Sequence, residues 1–311
     1  MFNPFQRKPD LPPVPDWANF FTPEEYAHFL KAVDAYFKNK KLDYELDDGM
    51  VKLKTNEFGF GNLGLTNVAQ ICQQRKTNEY AKIVSQHFDS MANANKFNTE
   101  FEKIVGDFEK VKEYIAVRLY PAGYTAHIGK NNTLGKDLAE DIYAMLVFDL
   151  PYSVMNVRPE QADKWNKTNE ELFNIGVENI KNKYEFDVSE QDLRGIKIWF
   201  VHGDHFFTPN IVLDLANRKN LLGRKGALIG IPHRHAVIIY PIETVELIKA
   251  INEVIPLTHF MNQKGPGSIS AHVFWYHDGV LEDLPYKIEE QKLQFYPPEK
   301  FVGLLNSFSA N

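Results

Sequence analysis

Two hydrophobic periods alternate along the chain, and the points where they change outline its elements. Thr22-Pro23-Glu24-Glu25 has the form of a helix start, with threonine as cap, proline at the first helical position and a carboxylate at the third. Tyr26, Phe29, Leu30, Val33, Tyr36 and Phe37 follow at helical spacing, so a helix to about Asn39 is expected. Alternating residues on either side of Asp48-Gly49 predict a hairpin, with Phe58 to Leu65 as a third strand. Thr66 is expected to cap a short helix and Thr77 to open a longer one; another helix is expected over about 98–108. From Tyr114 to Tyr120 the period is that of a strand, closing at Pro121.

Glycine and asparagine then cluster from Gly123 to Gly135, where no apolar period survives, and this marks a lobe boundary. Beyond it, strands are expected at 144–150, 152–157, 196–201, 227–231, 236–240 and 269–276, the last turning at Asp278-Gly279 into a closing strand. Helical segments are expected between 159 and 182, at about 208–221 and at about 243–254. The fold class is therefore α+β: mixed or antiparallel sheets with packed helices. It divides into a Pro- and aromatic-rich arm over 1–22, an N-terminal helix-hairpin-helix lobe over 23–121 and a larger C-terminal sheet lobe over 136–311. Five prolines keep the arm extended, and its rings suit packing onto the body; an exposed tail that binds a partner is the alternative.

Composition narrows the function more than the fold. A net charge of −6 supplies no basic field for a phosphate backbone, which argues against nucleic acid as partner. One cysteine, Cys72, rules out an internal disulfide and a Cys-rich metal site, and it reads as a core thiol. The first eight residues have no apolar core of a leader, and no stretch is apolar enough to span a membrane, so a cytoplasmic protein without a membrane partner is expected.

Several stretches in fixed order carry a resemblance. Ala116-Val117-Arg118 closes a strand on an arginine, and Val147-Phe148-Asp149-Leu150 is a strand with an aspartate. Trp165, Gly176-Val177-Glu178-Asn179-Ile180, Ile229-Gly230-Ile231-Pro232-His233 and Tyr276-His277-Asp278-Gly279-Val280-Leu281-Glu282 follow. This order resembles the YtpQ family of bacterial proteins over most of the chain after the arm. Gly176 stands where that pattern has alanine, and His235 where it has an acidic residue. The resemblance implies a fold grouping and a bacterial cytosolic protein; it carries over no catalytic residues.

Histidine is the sharpest chemical signal. Val201-His202-Gly203-Asp204-His205 ends a strand, and Pro232-His233-Arg234-His235 lies at a strand junction. If the two strands are neighbours, His202, His205 and His233 would be the ligands of a divalent metal, because imidazole and carboxylate suit zinc or non-haem iron. The plainer account is that each ring bonds nearby main chain. Asp137, Glu140 and Asp141, read at helical spacing, form a solvated acidic face or a cation site. Asp149 interrupts an apolar strand and needs a partner; Arg118 fits as an internal ion pair, or Arg118 instead clamps a ligand carboxylate or phosphate. Gly223-Arg224-Lys225-Gly226 lacks the spacing of a phosphate loop, and Gly265-Pro266-Gly267-Ser268 reads as a flexible turn.

No recognised catalytic set is legible, so the expected function is non-enzymatic: binding a partner protein or small ligand through Arg118, His202, Asp204, His205, His233 and Arg234, with no cofactor. The rival is a metal-dependent hydrolase built on the same histidines. A two-lobed ligand sensor with its pocket near Arg118 is a third reading.

Overall fold

In a computed structural model, which describes residues 11–309 except 291 and only the main chain at 127 and 309, Thr22 closes a reciprocal capping box. Its Oγ1 accepts from Glu25 N at 3.3 Å, and its own N donates to Glu25 Oε2 at 2.8 Å. Helix α1 runs Pro23–Asn39 and buries Phe29, Val33, Tyr36 and Phe37. Strands β1 (Tyr44–Asp47) and β2 (Met50–Leu53) form the expected hairpin; Asp48 and Gly49 both take positive φ, at 39° and 76°. Strand β3 (Asn62–Gly64) completes a three-stranded sheet.

Helix α2 (Thr66–Gln73) starts one residue earlier than expected: Leu65 is its cap position and no side chain caps it. Helix α3 (Tyr80–Ile104) is continuous where the sequence suggested two helices, and Asn95 in its polar middle donates to Glu57 O at 3.0 Å. These elements form the first unit, which ends at Ile104 and takes in Pro151–Ser153. Its core is aromatic: Phe37, Phe58 and Phe88 pack ring to ring, and Phe21 of the arm reaches Phe29 with 5.5 Å between centroids. The arm from Leu11 to Thr22 therefore packs on this unit, while its first ten residues lie outside the described ones.

The second unit takes Val105–Leu150 and everything from Val154. The boundary thus precedes the strand at 115–121 instead of following it, because that strand, β4 (Ile115–Pro121), pairs along its whole length with β6 (Ile142–Asp149). Strand β5 (Gly135–Ala139) and β7 (Val154–Asn156) share the other side of β6. Asp137 consequently lies in a strand and Asp141 in the turn before β6, not on one helical face. Helix α4 (Asn169–Lys183) packs on β4 so closely that a Cβ on Gly176 would stand 2.8 Å from Ala116 C. That approach is the physical reason for glycine at 176.

A six-stranded antiparallel sheet forms the rest. It comprises β8 (Asp187–Leu193), β9 (Ile196–His202), β10 (Ala227–His233), β11 (Ala236–Pro241), β12 (Val273–His277) and β13 (Val280–Leu284), in the order β13-β12-β10-β11-β9-β8. Helix α5 (Leu247–Lys264) covers it, burying Leu247, Ile251, Val254 and Ile255 against Leu228, Ile238 and Tyr240. A small hairpin, β14 (Tyr286–Glu289) with β15 (Lys292–Phe295), leads to helix α6 (Glu299–Ser309), whose Phe301 joins the same core. The fold is α+β, and every strand pairing among the described residues is antiparallel. No helix among them is long and apolar enough to cross a membrane.

Candidate functional site

The ends of β9 and of the β10–β11 hairpin are neighbours, so the two histidine stretches do lie along one rim of one sheet. Ala236 pairs with His202, and Gly203 N donates to His235 O at 3.3 Å. The ring nitrogens, however, are largely engaged with nearby groups. His205 holds Glu185 O on Nε2 at 3.1 Å and accepts from Phe207 N on Nδ1 at 3.2 Å. His235 meets Gly203 O through Nδ1 at 2.9 Å and accepts from Arg234 Nε through Nε2 at 3.1 Å. His233 is buried and accepts from His235 N at 3.2 Å.

His202, His205 and His233 therefore do not assemble as metal ligands; among the described residues three such groups converge elsewhere. The rim is built for rigidity instead. Gly265 and Gly267 press on it: a Cβ at 265 would stand 2.1 Å from the His233 ring, and Gly267, at φ 68°, abuts Arg234 Cδ. The Gly-Pro-Gly-Ser stretch is thus a tightly packed turn, with Arg234 N donating to Gly267 O at 3.1 Å.

What the rim presents is positive charge. On β4, Arg118 shares a face with Ala116 and Tyr120 and lies opposite Met145. Its guanidinium carbon stands 4.6 Å from the Tyr120 ring centre and 5.0 Å from that of Phe206; the guanidinium carbon of Arg234 stands 4.2 Å from the same Phe206 ring. The two cations are thus within about 9 Å of each other. Neither forms an ion pair among the described residues, and Arg118 Nε is buried without a hydrogen-bond partner. Burial, and after it the charge of Arg118, holds Arg234 below the ordinary guanidinium value. Burial and the charges around them hold His233 and His235 low as well, so the imidazoles favour the neutral form and add no further positive charge at neutral pH. Asp204 is exposed, and its side chain makes no hydrogen bond or ion pair among the described residues.

The expected Arg118–Asp149 pair does not form. Register places Arg118, in the middle of β4, opposite Met145, while Asp149 ends β6 beyond the Ile115–Phe148 pair, four residues further along the strand than the partner of Arg118. Asp149 is instead held by Lys183 and by the Tyr184 hydroxyl at 2.9 Å, both from the end of α4.

Phe206 was not legible as part of this site. Buried Phe207 and the His205 ring, tilted against Tyr184 with 4.4 Å between centroids, anchor the loop after β9, and their neighbour Phe206 is left 39% exposed between the arginines. The one sequence signal was the aromatic pair itself, beside a histidine at a strand end.

A second cluster escaped the sequence reading except for Asp141. His272 Nδ1 stands 3.5 Å from Asp141 Oδ2 and 3.8 Å from Asp283 Oδ1, joining the β5–β6 turn, the segment before β12, and β13. Ser270 Oγ donates to Asp141 Oδ2 at 2.5 Å and accepts from His272 N at 2.8 Å; Glu140 N donates to Asp283 Oδ2 at 3.1 Å. The other oxygen of Asp141 and Oδ1 of Asp283 are shielded from solvent without a hydrogen-bond partner, which costs about 1–3 kcal/mol for each such group. Burial pushes the Asp141 carboxyl up, while Asp283 and then Asp141 push the His272 imidazole up.

No family model, curated protein or solved structure matches this chain.

Proposed function

We propose that this protein binds a small molecule carrying an oxyanion, a phosphate ester or a carboxylate, at Arg118 and Arg234, and that it does so without chemistry of its own. One observation carries the reading: two guanidinium groups converge on one exposed aromatic ring with no acidic partner on either. Bringing like charges together in a half-buried place is unfavourable unless something negative joins them, and an oxyanion turns that repulsion into charge-assisted, two-pronged hydrogen bonds. The orphaned Nε of Arg118 is a donor waiting for such an acceptor. Phe206, 39% exposed, offers apolar surface for the body of the ligand. A hydrolase using His202, His205 and His233 draws no support from His205 and His233, whose rings are bonded to nearby main chain.

A thermal-shift screen of inorganic phosphate, nucleotides and carboxylic acids tests this. A ligand present at about 100 times its Kd stabilises by about 2.7 kcal/mol, which is about 5–10 °C for a unit of this size. The shift should vanish in Arg118→Ala and in Arg234→Ala. A screen without any stabilising anion, or a shift that survives both substitutions, would rule the reading out.

A further inference from the structure

The geometry of the second cluster points to a metal centre: we infer that Asp141, His272 and Asp283 hold one divalent ion of the zinc, manganese or iron class. This inference does not rest on the anion site.

Ligand atoms at 2.0–2.2 Å from an ion stand about 3–3.5 Å from one another. One ligand atom from each of the three residues lies within 4.8 Å of the others, and the two measured separations, 3.5 and 3.8 Å, need only a small contraction to close on an ion. Both separations exceed ordinary hydrogen-bond lengths, so His272 makes only loose ion pairs with the two carboxylates, contacts that an ion seated among the three groups would replace.

Two further observations point to a ligand and not to a solvated acidic patch. One oxygen on each aspartate is shielded from solvent yet has no donor, and Oδ1 of Asp283 is the one nearest the His272 ring. The Glu140 amide holds the opposite oxygen of Asp283, and the Ser270 hydroxyl donates to Asp141 Oδ2, the oxygen that faces the His272 ring, so both carboxylates have the outer-shell support that orients metal ligands. Tyr286 adds to it by donating from its hydroxyl to Ala271 O at 2.5 Å, fixing the main chain beside His272.

The donor set decides the class of ion. Two carboxylates and one imidazole are too few oxygens for calcium and include a nitrogen that magnesium does not favour, whereas zinc, manganese and ferrous iron accept this mixture with water in the remaining positions. Three protein ligands leave coordination places open, so the centre could bind a ligand atom as well as brace the strands.

Untagged protein stripped with a chelator and dialysed is to be titrated calorimetrically with zinc chloride and with manganese chloride, and its metal content measured after equilibrium dialysis. One equivalent per chain is expected for at least one of the two. Asp283→Asn and Asp141→Asn, which keep shape and remove charge, should each weaken binding by about tenfold or more. His202→Ala combined with His205→Ala should leave it unchanged. Circular dichroism of each stripped variant establishes that it is folded. Binding of neither ion, or binding that Asp283→Asn and Asp141→Asn leave unweakened, would overturn the inference.

Discussion

At the scale of single residues, chemistry here follows from what each side chain is denied. Arg118 and Asp149 look alike in the sequence, each a charge interrupting an apolar strand, and pairing them is the natural expectation. Strand register separates them: Asp149 finds Lys183 and Tyr184, and Arg118 is left beside a second cation. No residue type announces register, so this could not be read from the chain. His233 gives a testable case. Burial first, and then the charges of His235, His202 and Arg234, hold it below its ordinary value of 6.5. Unfolded, the ring takes up a proton as pH falls through 6.5; folded, it resists to a lower pH. The stabilisation is therefore complete above 6.5 and is lost as pH falls from there toward the folded value. Urea unfolding midpoints should drop on acidification below 6.5, and His233→Gln should flatten that drop; an identical pH dependence in both proteins would contradict the assignment.

Elements were legible where a local signal specifies them. The Thr22–Glu25 capping box is the clearest, and both of its reciprocal bonds are formed. Thr22→Ala should lower stability by about 1 kcal/mol, read as a shift in the denaturant midpoint followed by circular dichroism. A midpoint unchanged by the substitution would mean that the cap contributes nothing there. Both Asp-Gly pairs turn hairpins as expected, with Asp278 and Gly279 at φ 48° and 80°. A third hairpin, β8–β9, turns in the same way on Arg194 and Gly195, at 52° and 82°. It went unread because arginine is not a usual residue for that position, and because β8 is an exposed edge strand with little apolar alternation. Helix α5 runs ten residues past its expected end, through Pro256. The ring removes one backbone donor, but Thr258 beyond it is fully buried, so packing on the sheet carries the helix onward.

At the scale of the whole molecule, each unit has its own hydrophobic core, and Cys72 lies at the heart of the first with no exposure. Burial alone pushes its thiol up to about 11, so neither access nor thiolate is provided in the folded unit. A thiol reagent should leave the native protein unmodified and label one site when this unit unfolds, at a rate set by unfolding; rapid labelling in native buffer would refute the burial of α2. The sequence by itself determined the α+β class, the capped first helix, the Asp-Gly hairpins and the core role of Cys72, since periodicity, caps and turn chemistry act over a few residues. That the two histidine stretches share one rim depended on their strands being neighbours, a condition met by the pairing of β9 with β11. Only tertiary structure decided that the rim offers arginines and not metal ligands, and that Asp141, His272 and Asp283 meet. Those outcomes depend on strand register and on which edges pack together, and such contacts join residues as much as 142 positions apart, as Asp141 and Asp283 are.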